Sequence, residues 1–226
     1  KLEQNKVCSA QAFLEACKKP VAGIEIDNAD DRVFLLEGYI FPDTYEFYLE
    51  SDAQSVVDKF IENYNSKITD EMKQRAKTLG YTMDQMMTLA SVIQKECDAD
   101  IDECANVSSV FHNRLKDPAS FPKLESDVTT FYISQNLKDV IGYQDGVALE
   151  NQNGEVKKYM ELYSTYYRSG LPVGPICNPG LKAINAALHP ADTNYVFFLT
   201  DESGEHFYYA STIAEHNANG VKAGLF

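Results

Sequence analysis

The sequence predicts an α+β fold, helix-rich, with small β elements near both ends. Three observations carry this. Segments with apolar residues at helical spacing outnumber those with strand-like character, the strand-like stretches sit at the two ends, and capping signals open several of the helical segments. At 226 residues the chain can bury a sizeable core and amounts to one large domain or one and a half.

In chain order, Ser9 reads as the N-cap of a short helix through Cys17, closed by Lys18-Lys19-Pro20. Val21–Ile26 and Arg32–Phe41 are expected to be strands, separated by the acidic turn Asp27–Asp31. Ser51-Asp52-Ala53-Gln54 fits a capping box, and Val56, Val57, Phe60, Ile61 and Tyr64 then recur at helical spacing. A short helix follows over Glu71–Leu79 and stops at Gly80. Thr82-Met83-Asp84-Gln85 is a second capping box. The helix it opens carries Met83, Met86, Met87, Ala90, Ile93 and Cys97 on one stripe. Cys104, Val107, Val110, Phe111 and Leu115 mark another amphipathic helix, ended by Asp117-Pro118.

Phe121 to Gly154 is polar and broken by glycines, too long for a plain loop and expected to hold small elements or carry function. Asn178-Pro179 reads as a helix start, cap then proline, leading to Leu181, Ile184, Ala187 and Leu188. Tyr195–Thr200 and Glu205–Ala210 form a hairpin around Asp201-Glu202-Ser203-Gly204, and Thr212 caps a last short helix.

Composition narrows the function. The hydrophobic fraction of 44% is that of a folded globular protein. A net charge of −14 with no basic stripe excludes nucleic acid and a polybasic membrane surface, and leaves a neutral polymer such as a long glycan compatible. No apolar run approaches the roughly 20 residues of a membrane span. The chain opens at Lys1 within a helix-like stretch and is expected to be a fragment whose N-terminus, and any anchor there, lies outside it. The five cysteines contain no Cys-x-x-Cys pair. Along a continuous helix Cys97 and Cys104 stand about 10 Å apart, too far for a disulfide unless a loop intervenes. The four histidines have no metal-ligand spacing, so neither a metal nor a cofactor is expected.

One residue stands out chemically. Glu96 ends the most apolar helix of the chain, at the edge of its stripe, one turn from Val92 and Ile93 and two from Leu89. A carboxyl crowded by aliphatic groups keeps its proton longer, as a general acid near neutral pH requires. A half-exposed glutamate at a helix end is the commoner case, and the helix alone does not separate the two.

Several segments decide it. Leu36-Glu37-Gly38-Tyr39-Ile40-Phe41-Pro42-Asp43-Thr44-Tyr45 is followed by Leu89–Glu96, Val110–Leu115, Leu124–Tyr132 and Tyr163-Ser164-Thr165-Tyr166. Gly170–Gly180, His206-Phe207 and Glu215-His216-Asn217 complete the series. In this order they resemble the endolytic murein transglycosylases of the YceG-like (MltG) type. The resemblance implies cleavage of peptidoglycan glycan strands between N-acetylmuramic acid and N-acetylglucosamine, leaving 1,6-anhydromuramic acid ends. It implies an extracytoplasmic location, an N-terminal membrane helix and peptidoglycan synthases as partners. Residues 1–20 would then be the tail of a LysM-like region and 21–226 the catalytic domain. The family's catalytic glutamate maps onto Glu96. Gln94 replaces the first glutamate of that segment, Ser126-Asp127-Val128-Thr129 lacks a proline after the aspartate, and Val173 replaces a second proline.

The remaining candidates are substrate-binding residues. Asp127 is the best second carboxylate, but its neighbours Ser126, Thr129 and Thr130 suit a turn or cap better than a nucleophile. Asn113 and Arg114 fall at a helix end, where Arg114 would equally close the helix or bind sugar. Tyr163, Thr165 and Tyr166 offer rings and hydroxyls for sugars, though half of such aromatics are core. Gly170–Gly180 is a stiff loop suited to line a cleft, and Asn178 within it is explained by capping alone. Glu37 and Tyr45 suit the fold more than catalysis. Two other classes stay open: a non-catalytic glycan-binding scaffold, and a muramidase in which Asp127 assists.

Overall fold

Helix α4 (Met83–Glu96) forms the centre of the fold, in a computed structural model that describes residues 1–225. Its start is built as expected. The Thr82 hydroxyl accepts from the Gln85 amide at 3.1 Å, and the Gln85 side chain accepts from the Thr82 amide at 2.9 Å. Every residue from Met86 to Ile93 is buried, so the expected stripe is only part of the covered surface. Thr88, Leu89, Ser91 and Val92 are enclosed as well. A helix covered on all sides is a core helix, and turning it in place would displace many side chains at once.

The covering helices explain that burial. Helix α9 (Leu181–Leu188) packs on α4 most extensively, and its buried Ala183, Ala186 and Ala187 let the backbones approach. Helix α5 (Ile101–Lys116) packs against both. Helix α3 (Asp70–Leu79) closes with Gly80 at φ 87°, as the sequence predicts. Helix α2 (Ala53–Lys67) adds Val57, Ile61 and Tyr64 to the core, and α1 (Ala10–Ala16) packs on α2. The α2 cap is Asp52 rather than Ser51, its carboxylate accepting from the Ser55 amide at 3.1 Å.

The expected strands Val21–Ile26 and Arg32–Phe41 do not form. Among the described residues the sole sheet is the C-terminal hairpin, and this N-terminal stretch is a chain of turns with one 3₁₀ turn at Ala29–Asp31. The physical reason is that side chains, not a neighbouring strand, take its backbone groups. The Asn178 side-chain carbonyl accepts from the amides of Gly38 (2.9 Å) and Ile40 (3.0 Å). Buried Asp84 accepts from the Arg32 guanidinium and the Tyr39 hydroxyl, pinning this stretch to the start of α4. Asn178 is therefore not a helix cap. Gly180 occupies that position on α9, without a side-chain cap bond.

The glycine- and proline-rich loop is likewise a clamp and lies outside the cleft that holds Glu96, although Leu171, Pro172 and Val173 line a separate pocket of about 210 Å³. Pro172 to Ile176 are buried. The Ile176 amide donates to the Ser91 hydroxyl at 2.9 Å, and the Gly180 amide to the Gln94 side chain at 3.1 Å. Gly38 has φ 93°, and a Cβ there would collide with the Pro175 ring. A Cβ on Gly174 would stand 2.6 Å from Arg32 Nε. Two segments far apart in sequence thus meet where only hydrogen atoms fit between them.

After Glu96 the helix ends at Cys97, whose extended backbone (φ −136°, ψ 111°) turns the chain back. This is the intervening loop that a disulfide needs: Cys97 and Cys104 are bonded, with Cα atoms 5.6 Å apart. Beyond α5, residues 121–154 do hold small elements. They are α6 (Asp127–Phe131), a π-type turn (Tyr132–Asn136), α7 (Lys138–Ile141) and a 3₁₀ turn (Leu149–Asn151), followed by α8 (Gly154–Tyr163).

The C-terminal unit pairs β1 (Phe197–Thr200) with β2 (Phe207–Ala210), antiparallel in register Phe197 to Ala210, and adds α10 (Ile213–Lys222) behind a Thr212–Glu215 capping box. It hangs on α5 through the Asn113 side-chain amide, which donates to the Thr193 and Tyr195 carbonyls at 2.9 and 2.8 Å. No helix among the described residues is long and apolar enough to cross a membrane.

Two stability measurements follow from these contacts. Gly38→Ala should cost ~2 kcal/mol or more in urea unfolding, since strain and collision add. Gly204→Ala, at φ 73° with open space around it, should cost about 1 kcal/mol. Replacing Cys97 and Cys104 together by serine should lose about 2 kcal/mol, as expected for so short a loop.

Candidate active site

Glu96 stands at the floor of a cleft of about 420 Å³. The cleft lies between the end of α4, the second half of α5, the loop leading into α6, and the hairpin with α10. Its apolar lining comes from Val110, Phe111, Leu124, Phe197, Phe198 and Ile213. The crowding that the sequence ascribes to the glutamate's own helix is thus supplied to the cleft by other elements.

The Glu96 side chain is half-buried, and Ser126 Oγ donates to its Oε1 at 2.5 Å. Burial pushes the carboxyl above its ordinary pKa, the Ser126 hydrogen bond opposes this, and the negative charge of Asp127 adds to the rise. The last turn of a helix, with its free carbonyls, also disfavours an anion there. Together these give a carboxyl that holds a proton at higher pH than an exposed glutamate.

The walls carry charge and rings. Asp127 lies in the first turn of α6, exposed to the cleft, and its position there is explained by the helix start. Burial first, and then the neighbouring Asp127 carboxylate, push the Tyr166 hydroxyl up to about 12. Arg114 does not close its own helix. Its Nη1 donates to the Leu124 carbonyl at 2.9 Å, its Nη2 pairs with Glu125, and its guanidinium lies 5.2 Å from the Phe121 ring and 5.7 Å from that of Phe197. His216 stacks on Phe197 with ring centres 5.1 Å apart, and burial holds its pKa below the ordinary value.

The structure brings Glu96, Arg114, Asp127 and Tyr166 to one cleft, and leaves the other candidates outside it. Tyr163 is core, its ring tilted against that of Tyr132 with centres 5.1 Å apart. Thr165 is fully buried behind Ser126, whose amide donates to it at 2.9 Å. Asn113 and Asn178 spend their side chains on backbone groups of other segments. Glu37 is held in the clamp region, where burial raises its carboxyl to about 6. Sequence reasoning missed Ser126, Glu125 and His216 as parts of the cleft. The available signal was their place inside the Leu124–Tyr132 and Glu215–Asn217 segments, beside residues already singled out. Among the described residues, no group of three or more His, Cys, Asp or Glu side chains could hold a metal ion.

The chain is 34% identical over 183 residues to the endolytic murein transglycosylase of Bacillus subtilis (strain 168), covering 80% of this chain and 46% of that protein. It is 26% identical over 186 residues to the endolytic murein transglycosylase of Streptococcus pneumoniae serotype 2, covering 82% and 32%. The chain thus spans less than half the length of either relative. Its fold matches the crystal structure of the yceG-like protein lmo1499 from Listeria monocytogenes with a TM-score of 0.69 at 25% identity, over 93% of this chain and 67% of that one. The pattern described as the YceG-like family matches residues 1–222, and on that extent this chain belongs to the YceG-like family.

Proposed function

We propose that the cleft is the active site of a lytic transglycosylase that cleaves peptidoglycan glycan strands between N-acetylmuramic acid and N-acetylglucosamine. The observation that carries this is Glu96 itself, a proton-retaining carboxyl in the lining of the cleft, together with the activity by which the relatives are named. Glu96 gives its proton to the glycosidic oxygen as the bond to muramyl C1 breaks. The resulting carboxylate then takes the proton of the muramyl 6-hydroxyl as that oxygen closes on C1. The products are a free 4-hydroxyl and a 1,6-anhydro ring, no water is consumed, and Glu96 ends in its starting form.

One carboxyl suffices for this sequence. A hydrolase of the usual kind employs a second carboxylate as nucleophile or base. Asp127 instead stands beside the Tyr166 hydroxyl in the cleft wall, which favours a role in binding or in shaping the wall. Arg114, Asp127 and Tyr166, which line the cleft, would be the side chains that meet sugar.

The Cys97–Cys104 disulfide supports action on the oxidising, extracytoplasmic side of the membrane. In the longer protein, a membrane helix would precede this region, residues 1–20 would close a LysM-like subdomain, and peptidoglycan synthases would be natural partners.

Digestion of purified peptidoglycan tests the reading. Mass analysis should find anhydromuramyl ends released by the wild type, and roughly 10²–10⁴-fold less from Glu96→Gln. Reducing ends would make the protein a hydrolase; glycan binding without products from either form would make it a binding module.

The same variant has a stability signature. The Glu96 pKa is raised on folding, so its contribution is fully present below the ordinary carboxylate pKa and is lost as pH rises through the folded value. Glu96→Gln should therefore unfold at a higher temperature than wild type at neutral pH. That advantage should disappear below about pH 4, where the wild-type carboxyl is protonated in both states.

A further inference from the structure

We propose that Ser126 is a positioning residue for Glu96, assigning the reactive proton to Oε2 and holding the same carboxyl ready as carboxylate once the proton has left. The inference rests on the reading of Glu96 as acid and base.

The main chain of Ser126 is held on every side. Its amide donates to Thr165 Oγ1 at 2.9 Å, and its carbonyl accepts from Thr129 Oγ1 at 2.7 Å. The Thr165 amide donates to Thr129 Oγ1 at 3.0 Å, and both threonines are fully buried. The preceding Glu125 adopts φ 56°, a left-handed backbone that a residue with a Cβ holds only when its surroundings enforce it. Here the Arg114 guanidinium takes both the Glu125 carboxylate and the Leu124 carbonyl, and the Glu125 amide donates to the Thr165 carbonyl at 3.2 Å.

Ser126 also forgoes the bond its position favours. It stands at the N-cap of α6 with extended backbone (φ −97°, ψ 119°), where a serine hydroxyl normally accepts from an amide of the first turn. No such bond forms, and the hydroxyl donates to Glu96 Oε1 instead.

A hydroxyl has one proton to give. With Oε1 occupied as an acceptor, the carboxyl proton of neutral Glu96 belongs on Oε2, which makes no hydrogen bond among the described residues. After that proton moves to the leaving oxygen, the Ser126 bond becomes charge-assisted and stabilises the carboxylate that must next act as base. Both protonation states are thus served by one donor with no rotation of the side chain.

The test compares the wild type with Ser126→Ala, Ser126→Thr and Ser126→Cys by kcat, KM and pH–rate profile on glycan strands, with thermal unfolding as the fold control. Ser126→Ala should lower kcat about 10- to 100-fold with little change in KM. Its alkaline limb, where the acid loses its proton, should move to higher pH, because the donor that favours the carboxylate is gone. Ser126→Thr, which keeps a hydroxyl, should return the limb to the wild-type position. Ser126→Cys, a weaker donor of similar size, should fall between, and it replaces the alanine variant if that one does not fold. An unmoved limb in a folded variant overturns the proposal, as does a rate loss no larger than the loss of folded protein. Should the wild type release no anhydro ends, the transglycosylase reading fails by itself. The Glu96 carboxyl followed by ¹³C NMR then still decides the Ser126 contact, its titration rising in Ser126→Ala if the contact is made and staying in place if it is not.

Discussion

The architecture depends on the complete burial of one helix. Because Met86 to Ile93 of α4 have no free face, the helix is fixed in rotation and in depth by every neighbour at once. Its last residue is consequently delivered to one place. The sole parts of α4 that vary in environment are its ends: the start, tied down by Thr82, Gln85 and Asp84, and the finish, where Glu96 emerges into the cleft and Cys97 is covalently linked to α5. A catalytic group on a loop would need its own supports, whereas here the hydrophobic core is the support.

The polar clamp on the other side of α4 does a different job. Asp84, Arg32 and Tyr39 form a buried charged cluster, which is costly to desolvate and which specifies one arrangement of the segments that meet there. Asn178 and the close approaches of Gly38 to Pro175 and Gly174 to Arg32 complete it. Two of the segments that carry the family resemblance are thus occupied with one another and with α4, not with the Glu96 cleft.

That division explains how much could be read beforehand. The two-residue reciprocity of Thr82 and Gln85, the hairpin with its turn, and the Thr212 cap are local, each set by residues within a few positions, and all were legible. So was the placement of a carboxyl at the end of an apolar helix. The N-terminal strands were misread because hydrophobic residues there are buried by turns whose amides are satisfied by Asn178, 140 positions from Gly38. Thr165 and Tyr163 are chemically suited to sugars, yet residue type states what a group can bond to and not which group reaches it first. Ser126 was hidden for the converse reason, since its hydroxyl reads as an ordinary cap until α4 is placed across from it.

The left-handed Glu125 and the ring of buried threonine hydroxyls also bear on conformational entropy. A glutamate side chain that is free in solution gives up substantial rotamer freedom when it is ordered, and a carboxyl ordered by the substrate would make each encounter with a glycan weaker by that amount. Here the ordering accompanies folding, through contacts that exist before any ligand arrives. The interactions a long strand makes with the remainder of the cleft are then left to distort the reacting ring, which is where they lower the barrier.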